Sequence, residues 1–181
     1  MAFAILRAEK LKTMGNIGGS LAHNYRTIDT PNANPSQTPN NFHSLKDSEA
    51  VKAAISERLP EKRRSDAVLC VEYMITASPE WQGWNDERQN ESFKQAVDWL
   101  EQRHGKHNVV ATSIHRDETT PHLIAYVVPL DQDTGKLNAK KFLGGKAKLA
   151  EMQSSFSNHV KNLGLKRGIE GSKAKHTRIK E

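Results

Sequence analysis

The chain has 181 residues, 36% of them hydrophobic, one cysteine and a formal net charge of +6. This length suits a single domain with a real core. No apolar run approaches the ~20 residues of a membrane span, Phe3–Leu6 is too short for a secretory leader, and the lone Cys70 excludes a disulfide framework, so a reducing cytoplasm is expected.

In chain order, residues 1–9 alternate weakly and read as a short strand. Gly15–Gly19 reads as a flexible turn, and Ser20–Thr27 as a short helix or an extended piece. Thr30–Phe42 holds Pro31, Pro35 and Pro39 and is expected to be an irregular loop, of the kind that carries function or moves. Asp47 or Ser48 can cap a helix through Leu59, which Pro60 ends. Asp66–Thr76 reads as a long central strand with Glu72 in its middle; that carboxylate needs either a partner or the solvent side of the pleat. Asn85–His104 is the clearest helix, with Phe93, Ala96, Val97 and Leu100 at helical spacing and Gly105 to close it. Two β-rich runs follow, 108–114 and 123–128, then a turn at 131–135. A last helix is expected over 146–163, with Leu149, Met152, Phe156, Val160 and Leu163 on its core face. Strands adjacent in chain order pair most simply as antiparallel, so the fold class expected is α+β, an antiparallel sheet with helices packed on both faces.

The most informative stretch joins the two β-rich runs. His115 ends the first and His122 opens the second, with Asp117 and Glu118 between them. A hairpin brings both imidazoles to one end of one sheet face. Imidazoles with adjacent carboxylates suit a divalent transition metal; the plainer alternative is a polar loop with two unrelated histidines.

Basic residues cluster at 62–64, at Lys140, Lys141, Lys146 and Lys148, and at the C-terminus, where Lys166, Arg167, Lys173, Lys175, Arg178 and Lys180 accompany His176. One such cluster is an ordinary solvated face; three in a small chain favour a polyanion partner. A metal on a basic domain suggests phosphodiester chemistry. A nucleophile must then come from elsewhere. His23 and Tyr25 can each form a covalent bond to phosphorus, and Arg26 can pair with phosphate oxygens.

The segment Lys12–Arg26 resembles the first motif of the Mob/Pre plasmid mobilization relaxases, the MOBV group. The run 66–72 looks like that family's central strand, His115–His122 with Val127-Val128-Pro129 is similar to its metal-binding motif, and 168–176 matches the end of its catalytic domain. The resemblance covers essentially the whole chain. It implies the histidine-hydrophobic-histidine (HUH) endonuclease superfamily, with residues 1–181 as a relaxase catalytic domain in the N-terminal part of a longer protein. The implied activity is site- and strand-specific nicking and rejoining of plasmid DNA at an origin of transfer, single-stranded or hairpin, through a covalent 5′-phosphate intermediate. The implied catalytic residues are His23, with Tyr25 as the alternative nucleophile, Arg26 on the phosphate and Glu72. His115, His122 and Glu118 are the implied ligands of a divalent metal, manganese first, with magnesium or another ion as alternatives. Phosphate contacts are expected from Arg26, Lys140, Lys141, Lys173, Lys175 and Arg178. A homodimer through further regions, a bacterial cytoplasmic setting and no small-molecule substrate also follow. The chain departs from the family at Ile124, where the usual pattern has a third histidine; Glu118, Asp117, water or phosphate can complete the site instead. A DNA-binding protein that has lost catalysis, and a phosphoesterase without a covalent intermediate, are the other readings.

Overall fold

The computed structural model describes residues 1–171. Among them, five strands form one antiparallel sheet: β1 Ala4–Leu11, β2 Phe42–His43, β3 Cys70–Ala77, β4 Val109–His115 and β5 His122–Val127. Their order across the sheet is β1-β3-β5-β4-β2. The α-helices are α1 Met14–Asn24, α2 Ser48–Arg58, α3 Arg88–His104, α4 Ala139–Leu143 and α5 Gly145–His159. The α+β class with helices on both faces is what the pattern of the sequence implies.

β3 divides the molecule. Val71, Tyr73, Ile75 and Ala77 point to one face, where Phe93, Ala96, Trp99 and Leu100 of α3 and Met152 and Phe156 of α5 close over them. Fully burying each such side chain contributes about 1.5–3 kcal/mol. This face is sealed. The short helix α4, which the sequence did not suggest, inserts Phe142 and Leu143 there, and Leu149, expected in the core, is left 42% exposed.

The other face carries Glu72, Met74 and Thr76 and is only partly covered. α1 and α2 pack on it through Ile17, Leu21, Val51 and Ile55, all wholly buried. The Gly15–Gly19 stretch lies inside α1 and is not the flexible turn expected. Three glycines weaken a helix by propensity. Here the Thr13 side chain caps it by accepting from the Asn16 N–H, and Ile17 and Leu21, one turn apart, anchor it. Tertiary burial overrides the local preference.

Residues 66–69 precede the central strand instead of belonging to it. The loop before β2 contains one 3₁₀ turn, Thr38–Asn40. Among the described residues, no helix is long and apolar enough to cross a membrane.

Candidate metal centre and nucleophile

His115 and His122 are direct cross-strand partners at the end of the β4–β5 ladder. Their rings lie 5.0 Å apart, with His115 Nδ1 3.1 Å from His122 Nε2. The other nitrogen of each ring is fixed by a carbonyl. His115 Nε2 donates to the Asn24 carbonyl at 3.0 Å, and His122 Nδ1 donates to the Thr120 carbonyl at 3.0 Å. A carbonyl can only accept, so those nitrogens carry the protons. The facing nitrogens are therefore lone pairs directed at each other. Glu118 Oε2 adds a third acceptor, 3.1 Å from His122 Nε2. The three ligand atoms lie within 4.8 Å of one another. Converging lone pairs with their far sides tied to carbonyls are the arrangement a divalent cation needs. The donor set of two nitrogens and one carboxylate suits a transition ion better than magnesium. Burial, with help from His122 and Arg26, holds the His115 imidazole down to about 3, which keeps it neutral and able to ligate.

Ile124 follows His122 on the same sheet face and lines the same cleft, contributing no ligand atom. Glu118 swings in from the connection and completes the trio. Asp117 does not join it. Its carboxylate has no exposed surface and is gripped bidentately by Arg26, Nε to Oδ2 at 2.9 Å and Nη2 to Oδ1 at 2.7 Å. Thr38 Oγ1 donates to the same carboxylate, and the Asn34 N–H donates to the Asp117 carbonyl. Burial alone would raise this carboxyl; the hydrogen bonds from Arg26, Asn41 and Thr38, with the Arg26 charge, together outweigh that and hold it well below the usual carboxylate range. The loop at 30–42 is thus pinned to the metal-site connection through Asp117.

Arg26, expected on phosphate, is also tied into the site. Its Nη1 donates to the His23 carbonyl at 2.9 Å, and Nη2 also lies 3.7 Å from Glu118. Its side chain is 9% exposed, and these bonds brace the helix end against the metal-site connection. The backbone agrees. α1 ends with Thr27 N–H on the Ala22 carbonyl and Arg26 N–H on the His23 carbonyl, a Schellman ending. The left-handed position usually given to glycine is occupied by Arg26 at φ 57°. For a residue with a side chain this costs about 1–2 kcal/mol. Placing an arginine there turns its guanidinium back under the helix end toward Asp117.

His23, in the last turn of α1, is exposed and lines the cleft together with His115, Glu118, His122 and Glu72. The cleft, about 690 Å³, is the uncovered part of the face over β1 and β3. Partial desolvation and the Arg26 charge lower the His23 imidazole below its ordinary value. Tyr25 points elsewhere. Its hydroxyl donates to the Leu45 carbonyl at 2.8 Å, its ring stacks on His43 at 4.2 Å, and burial raises its phenol. Glu72 accepts from Ser20 Oγ at 2.9 Å, and Ser20 in turn meets the Tyr126 hydroxyl at 2.8 Å. Burial raises the Glu72 carboxyl.

Two supports were not foreseen. Asn24 offers its carbonyl to His115 and its amide to Ser113 at 3.1 Å; Ser113 also bonds His43 Nδ1 at 2.7 Å. Thr120 supplies the carbonyl under His122. Neither carries a sequence signal, because backbone carbonyls are common to all residues. Of the lysines expected on DNA, Lys140 is exposed, whereas Lys141 is held by Asp131 at 2.9 Å. Lys173, Lys175 and Arg178 lie outside the described residues.

Residues 1–181 match the family model described as plasmid recombination enzyme, Mob_Pre. The chain belongs to the Mob/Pre family. A 65 kDa protein of Zymomonas mobilis subsp. mobilis is 36% identical over 98% of this chain and 32% of its own length. A plasmid recombination enzyme of Streptococcus agalactiae is 31% identical over 100% of this chain and 39% of its own length. The chain thus spans well under half the length of either relative. Among solved structures, a MobM relaxase domain (MOBV; Mob_Pre), with manganese and bound to plasmid pMV158 oriT DNA, superposes with a TM-score of 0.82 at 31% identity, over 97% of this chain and 95% of that one.

Proposed function

We propose that this chain is the catalytic domain of a plasmid mobilization relaxase, which nicks and rejoins one DNA strand at an origin of transfer through a covalent 5′-phosphate intermediate. The observation that carries the reading is that His23 opens into the same cleft as the His115–Glu118–His122 acceptors. The DNA- and manganese-bound MobM domain of the same fold supports it.

A divalent ion held by His115, His122 and Glu118 would withdraw charge from a phosphate oxygen and fix the phosphate for in-line attack. The chain's own groups do the rest. A neutral imidazole nitrogen of His23 attacks phosphorus, an N–P bond forms and the P–O3′ bond breaks. The 3′-oxygen leaves with a proton from solvent, and the imidazole gives up its remaining ring proton. Its lowered proton affinity keeps it in the neutral, attacking form. A tyrosine would first have to lose a phenolic proton, and burial makes that harder at Tyr25. The phosphoramidate becomes a better leaving group when protonated on nitrogen, which suits an end that must later be rejoined. Arg26 acts through Asp117 and the His23 carbonyl, holding the helix end and the metal-site connection together. Glu72 acts through Ser20, one turn before His23 on α1. Both are positioning residues.

The test is nicking of supercoiled plasmid carrying an origin of transfer, with manganese and with chelator. Open circles that appear with manganese and vanish with chelator are expected. DNA binding without nicking under both conditions overturns the proposal in favour of a catalytically impaired DNA-binding protein, for which Ile124 is the supporting residue.

A further inference from the structure

A pair of acids stands on the cleft wall formed by β1 and β3. Glu9 and Glu72 are direct cross-strand partners, and both line the cleft. Opposed residues on one sheet face have Cβ atoms about 4.5–5.5 Å apart, and like charges there repel. Glu72 also belongs to a hydroxyl network. It accepts from Ser20 Oγ at 2.9 Å, and the Ser20 and Tyr126 hydroxyls lie 2.8 Å apart. Ser20 has one proton to give and gives it to Glu72, so Tyr126 donates to Ser20. One Ser20 lone pair is left over, one helical turn before His23 on α1.

Two carboxylates placed this way bind one shared proton more tightly than either would alone. Burial raises the Glu72 carboxyl most. The Ser20 bond opposes the rise, and Glu9 adds to it by its charge and by a hydrogen bond between the two carboxyls. The other groups around Glu72 do not compete for that proton. Burial pushes the Cys70 thiol up to about 12 and raises the Tyr126 phenol, so both keep their own. Arg7, next on the cleft face of β1, brings one positive charge to the same wall, and His23 is the base that shares the cleft.

We propose that Glu9 is a positioning residue of the strand-transfer reaction: it acts through Glu72, and the two carboxyls together take the ring proton that His23 gives up in nicking and return it for rejoining. The proposal rests on the relaxase reading of the cleft. In nicking, the N–P bond forms, the P–O3′ bond breaks and the second ring nitrogen loses its proton. The Ser20 hydroxyl accepts that proton and passes its own to Glu72, where Glu9 helps to hold it. In rejoining, the proton returns to the ring, the 3′-oxygen attacks phosphorus and the N–P bond breaks. A lone carboxylate, with an ordinary value of about 4.3, would lose the proton to neutral solvent before rejoining. The second carboxylate is what lets the wall keep it.

The test follows nicking and rejoining against pH, with manganese held constant, in the wild type and in Glu9→Gln. Glutamine keeps the shape and removes the charge, and Glu9 is exposed, so the fold is retained. Rejoining is read from purified adduct and a strand with a free 3′-hydroxyl. Nicking needs the pair empty and fails as pH falls through its titration. Rejoining needs the pair loaded and fails as pH rises through it. Without the Glu9 charge Glu72 holds a proton less tightly, so both limits should move to lower pH by the same interval. In parallel, metal-free protein with isotope-labelled glutamate carboxyls is titrated by nuclear magnetic resonance. The Glu72 signal, identified by its loss in Glu72→Gln, should titrate at lower pH in Glu9→Gln than in the wild type. Rates lowered at every pH with both limits unmoved would mean a structural role alone and overturn the proposal, as would an unmoved Glu72 signal. A Glu72 signal that moves in a protein forming no adduct at any pH overturns the relaxase reading instead, and the destination of the proton with it.

Discussion

On the sealed face of the sheet, His104 is 2% exposed, packs on Phe142 and shares a 2.6 Å hydrogen bond with the Tyr73 hydroxyl. On the open face, His115 is equally buried but turns its unprotonated nitrogen to His122 and the cluster with Glu118. Burial pushes both imidazoles down to about 3. A depressed histidine therefore does not mark function by itself. What separates the two is the partner: a lone hydroxyl on one nitrogen of the sealed-face ring, and on the open face a second imidazole and a carboxylate that converge with the ring on one point.

The largest expected effect breaks the open face alone. His122→Ala should abolish metal-dependent nicking and remove specific manganese binding in calorimetry, while the metal-free protein keeps its far-ultraviolet dichroism. His104→Phe, on the sealed face, should leave manganese binding intact. Equal loss of binding in both variants would mean the two histidines do not differ as described.

Next comes the brace behind the metal centre. Asp117→Ala leaves the Arg26 guanidinium buried without its partner, and loss of one member of such a pair costs about 3–5 kcal/mol. Urea denaturation measures it. A change under about 1 kcal/mol would show that the pair is effectively solvated.

The pH dependence sharpens the comparison. A histidine whose folded value lies near 3 resists the proton that the unfolded chain accepts below about 6.5. Its stabilising contribution is complete above about 6.5 and is lost as pH falls toward 3, at about 1.4 kcal/mol per pH unit. In metal-free protein between pH 6.5 and 4.5, His104 and His115 both act in this direction. His104→Phe should remove about one proton's worth of slope. Glu72, raised by burial, acts with the opposite sign in both proteins and cancels from the difference. Identical slopes would contradict the burial of a neutral His104.

A smaller effect is expected at the position that lacks an imidazole. Ile124→His points a further nitrogen into the cleft and should tighten manganese binding by about tenfold, the lower end of what ligand-supporting groups contribute. Unchanged affinity would show that Glu118 already saturates the protein's share of the site.

Much of this was legible in the sequence. The His115–His122 pairing follows from two β-branched runs and a short polar connection, and Glu72 stands out as a carboxylate inside an apolar strand. Other features were hidden by distance along the chain. Arg26 and Asp117 are separated by 91 positions, and only the fold shows that they grip each other. The helix over the glycines was hidden because Ile17 and Leu21 gain their burial from α2 and β3–β5 partners that no local window contains. The meeting of Glu9 with Glu72 was hidden for the same reason, because the pairing of β1 with β3 is tertiary.

The central claim is that His23 is the group that attacks phosphorus beside the His115–Glu118–His122 centre. Its most direct test traps the protein–DNA adduct with a suicide oligonucleotide and maps the modified peptide by mass spectrometry. The account predicts a 5′-phosphate on His23, lost on mild acid treatment and absent from His23→Ala. An acid-stable adduct on Tyr25, or full adduct yield from His23→Ala, would contradict it.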